Sequence, residues 1–248
     1  MYDDYLRGCA QILEALYLAR RHKHFIERLD YFREEFASIE KLNTNAYIIA
    51  NRILYTNMLH RCFVAGKFTE GLAYVKEIED FMARYERHID VHYKMLVNYK
   101  IASLYFGGGN YQKCMEYLSR ITGTKDPQVR RDLQCFARIL HLIASYEAGI
   151  DYNLEYQIRS VYTFLVKMND MHEVQREMLG FLKKLGSIYA DDLKTQFREL
   201  HERLELLEDH PYERRAFYYL DIQSWLESKI TGKSMGEILQ EKFKALSR

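Results

Sequence analysis

The sequence predicts an all-α protein in which about four helical hairpins stack in series and further helices close the far end. Three observations point there. Only two prolines and twelve glycines interrupt 248 residues, and 29% charged beside 48% hydrophobic residues is the mixture that amphipathic helices with solvated outer faces require. Every long apolar run has a period near 3.6, and the strict alternation of a half-buried strand is missing. Turn positions also return at nearly constant intervals, at Lys23, Gly66, Gly109 and Gly149, in steps of 43, 43 and 40 residues.

The first hairpin is expected from residues 2 to 22, with Ile12, Leu13, Leu16 and Ala19 on one face. After the basic break Arg20 to His24 a second helix carries Phe25, Leu29, Phe32 and Phe36 at helical spacing. The second hairpin runs from about Ala46 through Leu59 and Cys62 to Gly66, then Phe68, Gly71 and Val75. The third is Tyr99 to Ile121, hinged at Gly109. The fourth is expected to start at Asp126-Pro127, where Asp can cap and Pro can take the first helical position, and to turn near Gly149.

Beyond Leu165 the repeating pattern stops while helical periodicity continues, which divides the chain into hairpins over 1–165 and C-terminal helices over 166–248. Asp170 with Glu173, and Ser234 with Glu237, have the spacing of a capping box and mark two helix starts. Val174, Met178, Phe181, Leu182, Leu185 and Ile188 form one stripe, and Leu193, Phe197, Leu200, Leu204 and Leu207 another. Phe217, Leu220, Trp225 and Leu226 form a third. A stack of hairpins leaves its last apolar face bare, so these helices are expected to cap it.

In YKIASLYFGGGNYQKCMEYLSRI the residues Ala102, Tyr105, Gly109, Tyr111, Cys114 and Leu118 stand at spacings that resemble the tetratricopeptide repeat. The resemblance implies a TPR-like α-α superhelix, or solenoid. A period of 40 to 43 against the usual ~34 residues implies roughly two further helical turns per unit or a longer connection. The Leu220–Ile230 segment resembles the end of longer bacterial repeat proteins. The chain is accordingly expected to be the C-terminal part of a longer array, or else to begin with an imperfectly capped helix.

Thirty-six Lys and Arg against 35 Asp and Glu leave a formal charge of +1, so there is no global pull toward nucleic acid or an anionic membrane. Cys9, Cys62, Cys114 and Cys135 are widely spaced among apolar neighbours, which reads as reduced core thiols of a cytoplasmic protein. No run approaches the ~18 uncharged apolar residues of a membrane span. Phe106-Gly107-Gly108-Gly109-Asn110 lacks the lysine of a phosphate loop and follows a helix, so it reads as a turn. His88 and His92 have no third ligand, His22 and His24 read as a solvated basic turn, and His172-Glu173 lacks the second histidine of a zinc-protease motif. No nucleophile elbow or flanked catalytic cysteine is present, so no catalytic residue, metal or cofactor is assigned.

These observations lead to a non-catalytic scaffold that binds a protein or peptide, since the resemblance implies adaptor function and stacked hairpins make an extended concave surface. A ligand-responsive regulatory part of a longer signalling protein is the second reading. Counting back six and ten positions from Gly66 and Gly109 puts His60 and Thr56, and Ser103 and Tyr99, on one face with Asn57 and Lys100 beside them. The resemblance implies that this face lines the groove. Its amide, imidazole, ammonium, hydroxyl and phenol groups suit a polar or acidic extended peptide. Dimerisation through the ends of the stack is the other way to cover bare apolar surface.

Overall fold

The computed structural model describes residues 2–37, 43–150, 153–185, 189–213, 216–217 and 221–246. Among these residues every regular element is a helix and there is no strand. The helices are α1 Tyr2–Leu18, α2 His22–Ala37, α3 Thr44–Val64, α4 Phe68–Ala73, α5 Val75–Arg84, α6 Val91–Gly107, α7 Tyr111–Thr122, α8 Arg131–Glu147, α9 Leu154–Met168, α10 Glu173–Leu185, α11 Ala190–Glu208, α12 Ile222–Thr231 and α13 Met235–Leu246. Ile188 and Leu220 of the expected stripes lie outside the described residues.

Asx caps start several of them, as local sequence dictates. Asn43 Oδ1 accepts from the amide of Ala46 at 2.9 Å, Asp90 Oδ1 from Tyr93 at 2.8 Å and Asn110 Oδ1 from Lys113 at 3.1 Å. The hairpin turns share one chemistry. In each, two 5→2 and 6→1 bonds close the end of the leading helix: Gly66 and Lys67 donate to Phe63 and Cys62, Gly109 and Asn110 to Phe106 and Tyr105, Gly149 and Ile150 to Tyr146 and Ser145. The first turn repeats the pattern with Arg20 and Arg21 on Tyr17 and Leu16, so its left-handed residue is Arg20, at φ 53°, and not Lys23. Lys23 sits inside α2, and of RRHKH only Arg20 and Arg21 lie in the connection, while His22, Lys23 and His24 begin the helix. The steps between left-handed residues are therefore 46, 43 and 40.

α3, α6 and α8 are buried almost all round, while α5, α7 and α10 bury one stripe, so the former are the inner helices and the latter face water on one side. α7, for example, buries only Cys114, Tyr117, Leu118 and Ile121. In the second hairpin α3 is 21 residues long and its partner helix is broken at Tyr74 and extended by a 3-10 turn at Glu86–His88. In the third a connection follows α7 after Thr122.

Several local expectations are revised. α8 starts at Arg131, not Asp126. Asp126 Oδ1 instead accepts from Gln128 at 2.9 Å, and the Gln134 amide donates to the carbonyls of Asp126 and Val129, which seals a separate turn ending in left-handed Arg130. In α1 the buried stripe is Leu6, Cys9 and Leu13, with Ile12 47% exposed, because the helix presses the neighbouring face against α2 and α3. The Ser234–Glu237 box forms as read, with Ser234 N on Glu237 at 2.8 Å and Glu237 N on Ser234 Oγ at 3.2 Å. The Asp170–Glu173 box does not. The first amides of α10, Glu173 and Val174, donate to the carboxylate of Glu213 at 3.1 Å, a cap delivered from 40 and 39 residues away.

The hydrophobic core continues past residue 165 without a break, from α3 through α9 to Phe181, Phe197 and Trp225. A smaller cluster joins α1, α2 and the start of α3. The C-terminal helices cover more than the last hairpin. α12 reaches the end of α8, where Glu147 accepts from the Trp225 indole N–H at 2.8 Å and from the Lys229 amine. α13 packs on α2 and α3, with Gln240 donating to the Gly66 carbonyl at 3.2 Å, Gly236 against Gly66, and Arg20 paired with Glu208 of α11. The end of the chain thus returns to its beginning along the row of turns.

Candidate functional site

α1, α3 and α6, the leading helices of three successive hairpins, line a groove of about 790 Å³, with Arg130 and Pro211 at its margin. The groove gathers all six residues picked out in the sequence: Thr56, Asn57 and His60 from α3, and Tyr99, Lys100 and Ser103 from α6. They are not equivalent. Asn57 and Ser103, each 6% exposed, spend their side chains on their own helices, donating to Ile53 O at 2.8 Å and Tyr99 O at 2.9 Å. Tyr99 is 2% exposed and belongs to the core. The Tyr93 hydroxyl beside Thr56 donates to Arg52 O at 3.4 Å.

Lys100 and His60 are the chemically distinctive pair. The Lys100 amine contacts His60 Nε2, and the His60 ring stacks on Tyr17 at 3.9 Å with planes 6° apart. Burial and the Lys100 charge hold His60 well below its ordinary pKa, so the ring is neutral. With Nε2 accepting from Lys100, Nδ1 carries the proton, and that atom has no hydrogen-bond partner. Burial, with Arg130 nearby, pulls Lys100 from 10.5 down to about 7. No carboxylate lies within ion-pair distance of Lys100 among the described residues, although Glu14 acts on it from across the groove.

Sequence reasoning missed Arg7, Glu14, Tyr17, Arg52 and Arg130. Arg7, Glu14 and Tyr17 come from α1, which its packing on α3 brings to the groove, Arg52 lies on α3 one turn before Thr56, and Arg130 precedes α8. Arg52 pairs with Asp90 at 3.0 Å and lies 4.5 Å over the Tyr93 ring, while Arg130 pairs with Asp132 at 3.2 Å. The lining therefore holds Arg7, Arg52, Lys100 and Arg130 against the carboxylate of Glu14, with Arg52 and Arg130 already paired to Asp90 and Asp132 and Lys100 losing its charge near pH 7.

The other motifs lie elsewhere. Gly107 ends α6 and Gly109 makes the turn, and a side chain at Gly107 would occupy the space of the Phe68 ring. His88 and His92 are exposed, and no group of three or more His, Cys, Asp or Glu side chains among the described residues is placed to hold a metal ion. Cys9, Cys62, Cys114 and Cys135 are buried free thiols, and burial raises the pKa of the last three. No described helix is long and apolar enough to cross a membrane. A scan of protein-family models, a search of curated proteins and a search of solved structures each find no match to the chain.

Proposed function

We propose that this chain is a non-catalytic, TPR-like scaffold whose groove holds an acidic, extended peptide segment of a protein partner in a cytoplasmic setting. The observation that carries the reading is Lys100, a half-buried amine in the groove wall with His60 as its neighbour and no carboxylate in ion-pair reach among the described residues. A carboxylate arriving from a ligand would restore the charge that burial disfavours, and each such charge-assisted bond is worth roughly 1.5–3 kcal/mol. Arg7 adds a second cation to the groove, and Arg52 and Arg130 reach it from their pairs with Asp90 and Asp132, which suits a segment with more than one acidic residue. The leading helices of successive hairpins supply the surface, as stacked helix pairs do in extended peptide grooves.

Random-peptide display against the purified protein tests this. Enrichment of sequences rich in Asp and Glu is expected, with enrichment lost when Lys100→Glu is the bait. Recovered peptides with no acidic bias, or acidic peptides that bind Lys100→Glu equally well, would refute the proposal.

A further inference from the structure

A solvated lysine is an ammonium at neutral pH and has no lone pair to offer a carbon centre. Lys100 stands differently. It lines the groove with part of its surface exposed, among the apolar side chains of Ile49, Ile53 and Leu96, and no carboxylate lies within ion-pair distance among the described residues. Its amine meets the lone pair of a neutral imidazole, His60 Nε2, in place of an anion. Burial and the Arg130 charge bring the amine from 10.5 to about 7, with Glu14 opposing by less, so about half of it is free base at neutral pH. Lysines desolvated beside a second cation are the ones that act as nucleophiles toward carbonyl carbon.

His60 supplies what an attacking amine needs beside it. The ring is held by its stack on Tyr17, Nε2 faces the amine, and burial keeps that nitrogen unprotonated, so it can take the proton shed as a C–N bond forms. The groove, at about 790 Å³, has room for a small molecule against this pair. Its charge limits which one. Arg7 and Arg130 line the same space, and Arg130 is near enough to disfavour the ammonium. A carboxylate attached directly to the reacting carbonyl would lie beside the amine and offset that charge.

We propose that Lys100 is a covalent capture site for a 2-oxo acid, whose oxo carbon takes the amine while its carboxylate turns toward Arg7 and Arg130. The Lys100 nitrogen adds to the carbonyl carbon, one amine proton passes through His60 Nε2 to the oxygen, and the resulting hydroxyl leaves as water when the C=N bond forms. One water is released per imine, and no oxidant or reductant takes part. Peptide binding draws on the ammonium and capture on the free amine, so the inference goes beyond the acidic-peptide reading and does not depend on it.

The full chain is incubated with pyruvate and cyanoborohydride at pH 7 without peptide, then digested and mapped by mass spectrometry. Reduction of the imine should leave a carboxyethyl group on Lys100, about tenfold or more ahead of the other lysines. In urea, where every lysine returns to its ordinary pKa, that preference should vanish, a control that needs no variant to fold. Acetone keeps the carbonyl and lacks the carboxylate, and with it the ratio of Lys100 to the other lysines should fall by about tenfold. Adducts spread over the lysines as in urea, no adduct on Lys100, or an acetone ratio equal to that of pyruvate would each overturn the assignment. With no peptide present, such a failure leaves the peptide reading standing.

Discussion

Replacing Gly66 by Ala should cost far more than replacing Gly109 by Ala, although both glycines hold the same left-handed turn position, at φ 63° and 76°. A left-handed backbone penalises any Cβ by roughly 1–2 kcal/mol, and this is the whole cost at Gly109, where a Cβ would meet nothing within 4 Å. At Gly66 the added carbon would also run into the Gly236 carbonyl oxygen and stand 3.2 Å from Gln240 Cγ, both on α13. Backbone cannot swing aside as a flexible side chain can, so overpacking adds about 1–3 kcal/mol unless α13 lifts away. The excess is thus a direct reading of α13 docking. Urea unfolding followed by far-ultraviolet circular dichroism measures it, and in a thermal melt each kcal/mol should appear as ~2–4 °C for a chain of this size. In a chain ended after Gly232 the two substitutions should cost the same, which closes the cycle. Equal costs in the full chain would refute the return of the C-terminal helix to the first hairpins.

Other perturbations follow from single contacts. Gly107→Ala should destabilise by about 1–3 kcal/mol, because its Cβ would displace the Phe68 ring and Phe68 is 5% exposed with nowhere to go; Phe68→Leu in the same chain should recover part of the loss in a thermal melt. Glu147→Ala should cost about 1–3 kcal/mol and red-shift the emission of Trp225, the single tryptophan, since it takes away the acceptor of both the indole N–H and Lys229. An unshifted spectrum would mean that the indole has another acceptor. Lys100, held at about 7 against 10.5 unfolded, gives a signed pH effect. Between pH 7 and 10.5 the unfolded chain binds more protons, so stability rises with pH across that window relative to Lys100→Met, with a slope no steeper than the ~1.4 kcal/mol per pH unit of a one-proton difference. Acidic-peptide affinity should run the other way, weakening as Lys100 loses its charge above pH 7, and a parallel pH profile in Lys100→Met would contradict this assignment.

What the sequence reveals and what it hides divide along the range of the interactions. Gly66, Gly109 and Gly149 are legible because a left-handed C-terminal cap is a local demand that glycine meets, and Ser234 with Glu237 is legible because its two bonds close within one turn. Arg20 is not, since an arginine in the left-handed region carries no mark in the sequence and is held there by the same pair of turn bonds. The cap of α10 by Glu213 and the seating of Gly236 on Gly66 join residues far apart in the chain, and no spacing rule reaches them. The groove shows the same division. Helical spacing puts Thr56, His60 and Lys100 on the right wall, but it cannot tell that Asn57 and Ser103 fold back onto their own backbone or that Arg7, Glu14 and Arg130 arrive opposite.

Acidic-peptide binding in the groove around Lys100 and His60 is the function we propose. It is tested most directly by the affinity of a fluorescein-labelled, display-selected acidic peptide for the wild type and for His60→Gln/Lys100→Met, with Tyr99 left intact because it is core. With the variant matched to the wild type in helicity and melting temperature at the same pH, its binding should be weaker by about tenfold or more, or ~1.4 kcal/mol. Undiminished affinity in that folded variant would place the peptide elsewhere on the molecule and contradict the account.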